Sequence, residues 1–205
     1  MNISSRRAVL VAAALALLVL PVAAQAPQGE RIRATIDKVD GDVLSLKTRE
    51  GGALTVRLAP DTRISALVKA SLADIRSDSF IGVAGMPRPD GSIAAFSVHI
   101  FMPSQRGVVA DRHGPWDGRP GSTMTNAYVA DEVKSTDGDI LTVKYRDGEK
   151  KIVVTPATVI AAIAPGSAAD LKPGAGVVVF AAEPQPDGTV TARSISVGRD
   201  VAPAM

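Results

Sequence analysis

Soft-metal binding is the sharpest chemistry this chain could support. It contains two histidines, five methionines, one tryptophan and no cysteine. His113, Trp116 and Met124 fall close together, and Met102 lies 11 residues before His113. Without thiolates, imidazole and thioether are the side chains that suit Cu(I) or another soft ion. An indole face can cap a cation. His113, Met124 and Met102 are therefore candidate metal ligands, with Trp116 as a lid. The same residues have a structural reading, in which Trp116 and Met124 pack a connecting segment against its neighbours and His113 is exposed. On that reading no cofactor is needed, and Trp116 anchors an interface, as buried aromatic residues commonly do.

Other chemistries are weaker. His99 alternates out of phase with Phe96, Val98 and Ile100, so it should point away from the core into solvent. The turns Asp40-Gly41-Asp42 and Asp137-Gly138-Asp139 are acidic. Calcium needs six or more oxygens, however, and a hairpin turn already explains Asp-Gly. There is no G-x-S-x-G, H-E-x-x-H or phosphate-loop motif. The chain is not expected to be an enzyme.

These residues must be positioned by a duplicated framework. Residues 34–48 (ATIDKVDGDVLSLKT) resemble residues 131–145 (DEVKSTDGDILTVKY), with the two DGD turns 97 residues apart. Ser71-Leu72-Ala73-Asp74-Ile75 matches Ser167-Ala168-Ala169-Asp170-Leu171, and Pro89-Asp90-Gly91 matches Pro186-Asp187-Gly188. His99 falls opposite Ser196, so the framework does not require it. Two copies result, 30–101 and 126–200, with a Gly-, Pro- and Arg-rich linker at 102–125. Each copy shows alternating strands of period two, such as Leu44/Leu46, Leu54/Val56/Leu58 and Ile81/Val83. Pro60-Asp61-Thr62 should end the third strand. A short helical turn with a capping-box pattern at Ser71 and Asp74 then precedes two more strands. Three strands, a helical turn and two strands is the order of an OB-like five-stranded barrel. The predicted fold is therefore all-β: two tandem small barrels, each copy closing its own, with the lobes in contact.

The first 26 residues read as a signal peptide. A basic segment containing Arg6 and Arg7 precedes a 13-residue apolar run, and Ala24-Gln25-Ala26 is a cleavage site. The expected location is the bacterial periplasm or the exterior, with no membrane span after cleavage. Cleavage leaves 23 − 2 = 21 basic side chains against 21 acidic ones. That balance, with few aromatics, argues against a nucleic-acid partner.

The I-x-x-V-D-G-D-x-L-x-L pattern, the S-L-A-D-I or A-D-L-K-P-G segment and the P-D-G turn together resemble a widespread bacterial exported module. That module is catalogued as a domain of unknown function (family 5666) and is thought to be OB-like. The linker, with His113-Gly114-Pro115-Trp116-Asp117, gives a layout that also resembles exported proteins often labelled metal ABC transporter permeases. A permease needs several spanning helices, so that likeness implies an accessory role at most. The expected function is a non-enzymatic, exported binding or interaction module whose partner is a periplasmic protein or a small ligand. The alternative is a metal-handling protein using the linker His, Met and Trp.

Overall fold

A computed structural model describes residues 31–133, 138–199 and 201. The expected leader, and Asp137 of the second DGD turn, lie outside the described residues. The fold is all-β, with 61% of the described residues in strands. Twelve strands follow one another: β1 (Ile32–Asp40), β2 (Val43–Thr48), β3 (Ala53–Lys69), β4 (Phe80–Pro87), β5 (Ile93–Ile100), β6 (Arg112–Pro115), β7 (Thr123–Val133), β8 (Asp139–Tyr145), β9 (Gly148–Val154), β10 (Val159–Pro165), β11 (Gly176–Pro184) and β12 (Val190–Gly198). Single 3-10 turns at Leu72–Asp74 and Ala168–Asp170 precede β4 and β11. In both, an aspartate accepts the backbone N–H and the hydroxyl proton of the serine three residues earlier.

The copies do not close separately. β1, β2 and β3 form an antiparallel meander. β3 then pairs in parallel with β12, β12 with β11, and β11 back with β1. This closed five-stranded barrel therefore takes three strands from the first copy and two from the second. Five of the other described strands, β4, β5, β7, β8 and β9, make the reciprocal circuit. β7, β8 and β9 are joined to β4 and β5 through β4–β7 and a short parallel contact between β5 and β9. The expectation that 30–101 and 126–200 each fold on themselves is thus corrected to strand exchange between copies.

The hydrophobic clusters follow the exchange. Ile36, Leu44, Leu46 and Val56 of copy one pack with Val177, Val179, Ile195 and Val197 of copy two. Ile81, Val83 and Ile93 pack with Val129, Leu141, Val143 and Ile152. Each fully buried aliphatic side chain contributes about 1.5–3 kcal/mol relative to exposure, so the interiors bind the copies together.

The cause lies in β3. Pro60-Asp61-Thr62 does not end it. Instead the ladder shifts register beside Ala192 and Ser194, and the strand continues to Lys69. The Thr62 hydroxyl donates to the Ala192 carbonyl at 2.7 Å across this irregularity. The extended strand carries the chain out of the first barrel and delivers β4 to the other circuit. Its distal half pairs antiparallel with β10, Leu67 opposite Ile163. These two residues are 96 positions apart, the same offset as Ser71 and Ser167, so the contact lies on a pseudo-two-fold axis.

The segment 102–125 is not simply a linker. It contributes a 3-10 turn at Pro103–Gln105, the strand β6 and the start of β7. A second irregularity, where Ala84 faces Ser97 but Gly85 faces Ala95, leaves Phe96 as the extra residue of β5. Phe96 therefore turns outward beneath the Arg119 guanidinium, 4.0 Å from its ring centre, while Ile93 and Ala95 take the interior positions.

Candidate functional site

Where the barrel faces the reciprocal circuit, a cleft of about 350 Å³ opens, covered on one side by segment 102–125. Its walls are two rows of side chains related by the pseudo-two-fold. Residues directly opposite each other in a ladder present their side chains on one face. On one wall the row runs Arg112, Asn126, Gly82, His99 across β6, β7, β4 and β5. On the other it runs Arg33, Val178, Ser196, Ser65 across β1, β11, β12 and β3. All eight line the cleft, and the axial pair Leu67 and Ile163 lines it too. The Ser65 hydroxyl donates to Ser196 Oγ at 3.1 Å. Gly82 keeps the first wall open, because a Cβ there would lie 3.0 Å from the Phe101 ring and 3.1 Å from Asn126 Oδ1.

His99 does point away from its own core, but it lines the cleft half-buried instead of standing free in solvent. Burial pushes its pKa down to about 4, so the imidazole is neutral at pH 7. Its hydrogen bond among the described residues is with the Ser97 hydroxyl at 3.3 Å. The expectation of a solvated histidine is corrected: outward from one ring is inward to the cleft between two.

Trp116 lies in the same cleft. Arg31 and Arg33 stand over its ring at 4.5 and 5.2 Å from the ring centre. The next residue, Asp117, accepts two hydrogen bonds from Arg33, from Nη2 at 2.8 Å and Nη1 at 3.2 Å. That hydrogen bonding holds the Asp117 carboxyl below the usual carboxylate range, and the charges of Arg33 and Arg31 act in the same direction. Arg49 donates to the Gly118 carbonyl at 2.9 Å. A Cβ on Gly118 would collide with Trp116 Nε1, so only glycine lets the loop fold back on the indole. The loop is thereby clamped to β1 and β2. Two buried donors, Arg33 Nε and Trp116 Nε1, have no acceptor among the described residues, and the Arg33 side chain is only 8% exposed. Buried N–H groups are normally paired, and leaving one unpaired costs roughly 1–3 kcal/mol.

Of the proposed metal ligands, His113 and Met124 are not brought together by this geometry. On the β6–β7 ribbon His113 is opposite Thr125, whereas Met124 is opposite Gly114. Adjacent positions along a strand face opposite ways, so His113 and Met124 lie on opposite faces. Met124 lines the cleft. His113 shares a 2.8 Å hydrogen bond between Nδ1 and the Thr125 hydroxyl and sits 6.0 Å from the Tyr145 ring centre. Burial and then the Lys150 charge lower its pKa. Met102 begins the Pro103–Gln105 turn, its backbone N–H donating to Gln105 Oε1 at 2.9 Å. Among the described residues no group of three or more His, Asp or Glu side chains is placed to hold a metal ion. None of their helices is long and apolar enough to cross a membrane.

Sequence reasoning missed Arg31, Arg33, Arg112, Asn126 and the serines. For Arg33, Asn126, Ser65 and Ser196 the available signal was their outward phase on strands whose alternate residues are buried; Arg31 and Arg112 carried no such signal. Comparison with protein-family models, curated proteins and solved structures finds no match to this chain.

Proposed function

We propose that this chain is a non-enzymatic, exported binding module whose ligand site is the cleft between two interlocked OB-like barrels. The observation that carries this reading is the cleft itself, about 350 Å³ and lined by Arg31, Arg33 and Arg112 together with uncharged polar and apolar side chains from both copies. A general base works best with a pKa near the operating pH, so a histidine pushed to about 4 with a serine neighbour supports a polar lining role for His99 over proton transfer. The resemblance to an exported OB-like module and the signal-peptide pattern support the same reading. The small volume favours a low-molecular-weight ligand over a protein partner.

The test is thermal unfolding of the mature chain with small organic anions, neutral compounds and cations, in parallel with Trp116 emission. Trp116 is the single tryptophan, which makes the signal specific. At least one class should raise the unfolding midpoint and shift the emission saturably. Ser194→Phe, which fills the cleft from β12, should abolish both responses. Responses that persist in Ser194→Phe would remove the cleft as the site.

A further inference from the structure

The ligand class can be read from the lining, given the binding function proposed above. Three guanidinium groups line the cleft, those of Arg31, Arg33 and Arg112, and none of its lining residues is Asp or Glu. Asp117, just outside, takes up part of the charge of Arg33 and Arg31. Arg112 has no such partner among the described ion pairs and is exposed at the mouth. The rest of the lining divides in two. Leu67, Ile163 and Val178 form an apolar floor, flanked by Phe101 and Phe180. Asn126, Ser65 and Ser196 supply uncharged polar groups.

We propose that the cleft binds an amphipathic organic anion, its charged head beside the Arg112 guanidinium, its apolar body on Leu67, Ile163 and Val178. Hydrogen bonds from a guanidinium to an ionised acceptor are the strong kind. The apolar floor would reward a hydrocarbon body and not a bare inorganic ion. A cationic ligand would meet three like charges. His99, neutral at pH 7, adds neither attraction nor repulsion.

Titration of the full mature chain with octanoate, octyl sulfate, 1-octanol and octylamine, followed by Trp116 emission, tests this. Octanoate and octyl sulfate should shift the emission saturably, and 1-octanol and octylamine should bind at least about tenfold more weakly. Arg112→Ala should weaken octanoate by about tenfold, one charge-assisted contact, and leave 1-octanol unchanged. Arg112→Lys should restore most of the loss. Arg112 is exposed, so its removal leaves the partly buried Arg33–Asp117 pair intact. Equal binding of octanoate, octanol and octylamine, or an Arg112→Ala variant that binds octanoate as wild type does, would overturn the anion assignment while leaving the cleft reading standing. If every response survives in Ser194→Phe, the cleft reading itself falls. No saturable response to millimolar octanoate or octyl sulfate also overturns the proposal.

Discussion

His99 shows how a single residue can be read correctly in phase and wrongly in environment. Period-two alternation places it outside its own ring, and it is there. What period two does not report is the cleft, and burial there pushes the pKa to about 4. The sign of the consequence follows. Above pH 6.5 both folded and unfolded chains hold a neutral imidazole. Between 6.5 and about 4 the unfolded chain takes up a proton that the folded chain refuses, so stability falls as pH falls through that window. The loss should reach at most ~3 kcal/mol. Urea unfolding at pH 7 and pH 5 should show this decline in the wild type and a flatter profile in His99→Gln. Identical slopes for the two would mean that His99 is solvated after all.

At the scale of elements, β3 and the loop 116–118 decide most. The hydrophobic alternation of Leu54, Val56 and Leu58 marked the start of β3, but Pro60-Asp61-Thr62 reads locally as a terminator. Pairing with β12 overrides it, because that strand supplies ladder partners on both sides of the irregularity. The loop has no periodicity at all, and its order comes from contacts with distant residues, chiefly the two hydrogen bonds from Arg33 of β1 to Asp117, with Arg49 on the Gly118 carbonyl. Breaking that clamp leaves a guanidinium buried without its carboxylate. Asp117 is itself about half exposed, which moderates the cost. Asp117→Asn should therefore destabilise the fold by roughly 1–3 kcal/mol, below the range for fully buried pairs. Chemical denaturation would measure it, and Trp116 emission should move toward that of a solvated indole. An unchanged midpoint would assign the ordering of the loop to Arg49 and Gly118 instead.

At the scale of the whole molecule, the exchange of strands predicts contacts that separate barrels would not have. Arg57 on β3 is in register with Thr191 on β12. Had copy one closed alone, Arg57 would lie near Ala94, the β5 position 97 residues earlier. The native chain has no cysteine, so introduced pairs report cleanly. Arg57→Cys with Thr191→Cys should form an intramolecular disulfide on mild oxidation, and Arg57→Cys with Ala94→Cys should not. The reverse result on a non-reducing gel would restore the separate barrels.

The duplication, the strand periodicity, the Asp-Gly turns and the serine–aspartate turns at 71–74 and 167–170 were legible in the chain itself, because each is a local pattern or a comparison of the sequence with itself. Which copy supplies the last two strands of a ring was not legible. Both copies carry interchangeable apolar strands, so a strand from either could fill the same slot. Only the path of β3 beyond Pro60, and the pseudo-symmetric pairing of Leu67 with Ile163, resolve that degeneracy. The cleft shares the dependence. Arg33, Ser65, His99 and Arg112 are far apart in sequence, and each is an ordinary outward-facing polar residue on its own strand. Bringing strands of both copies together is what turns them toward a common space, with Arg33 buried, Ser65 and His99 half-buried and Arg112 exposed.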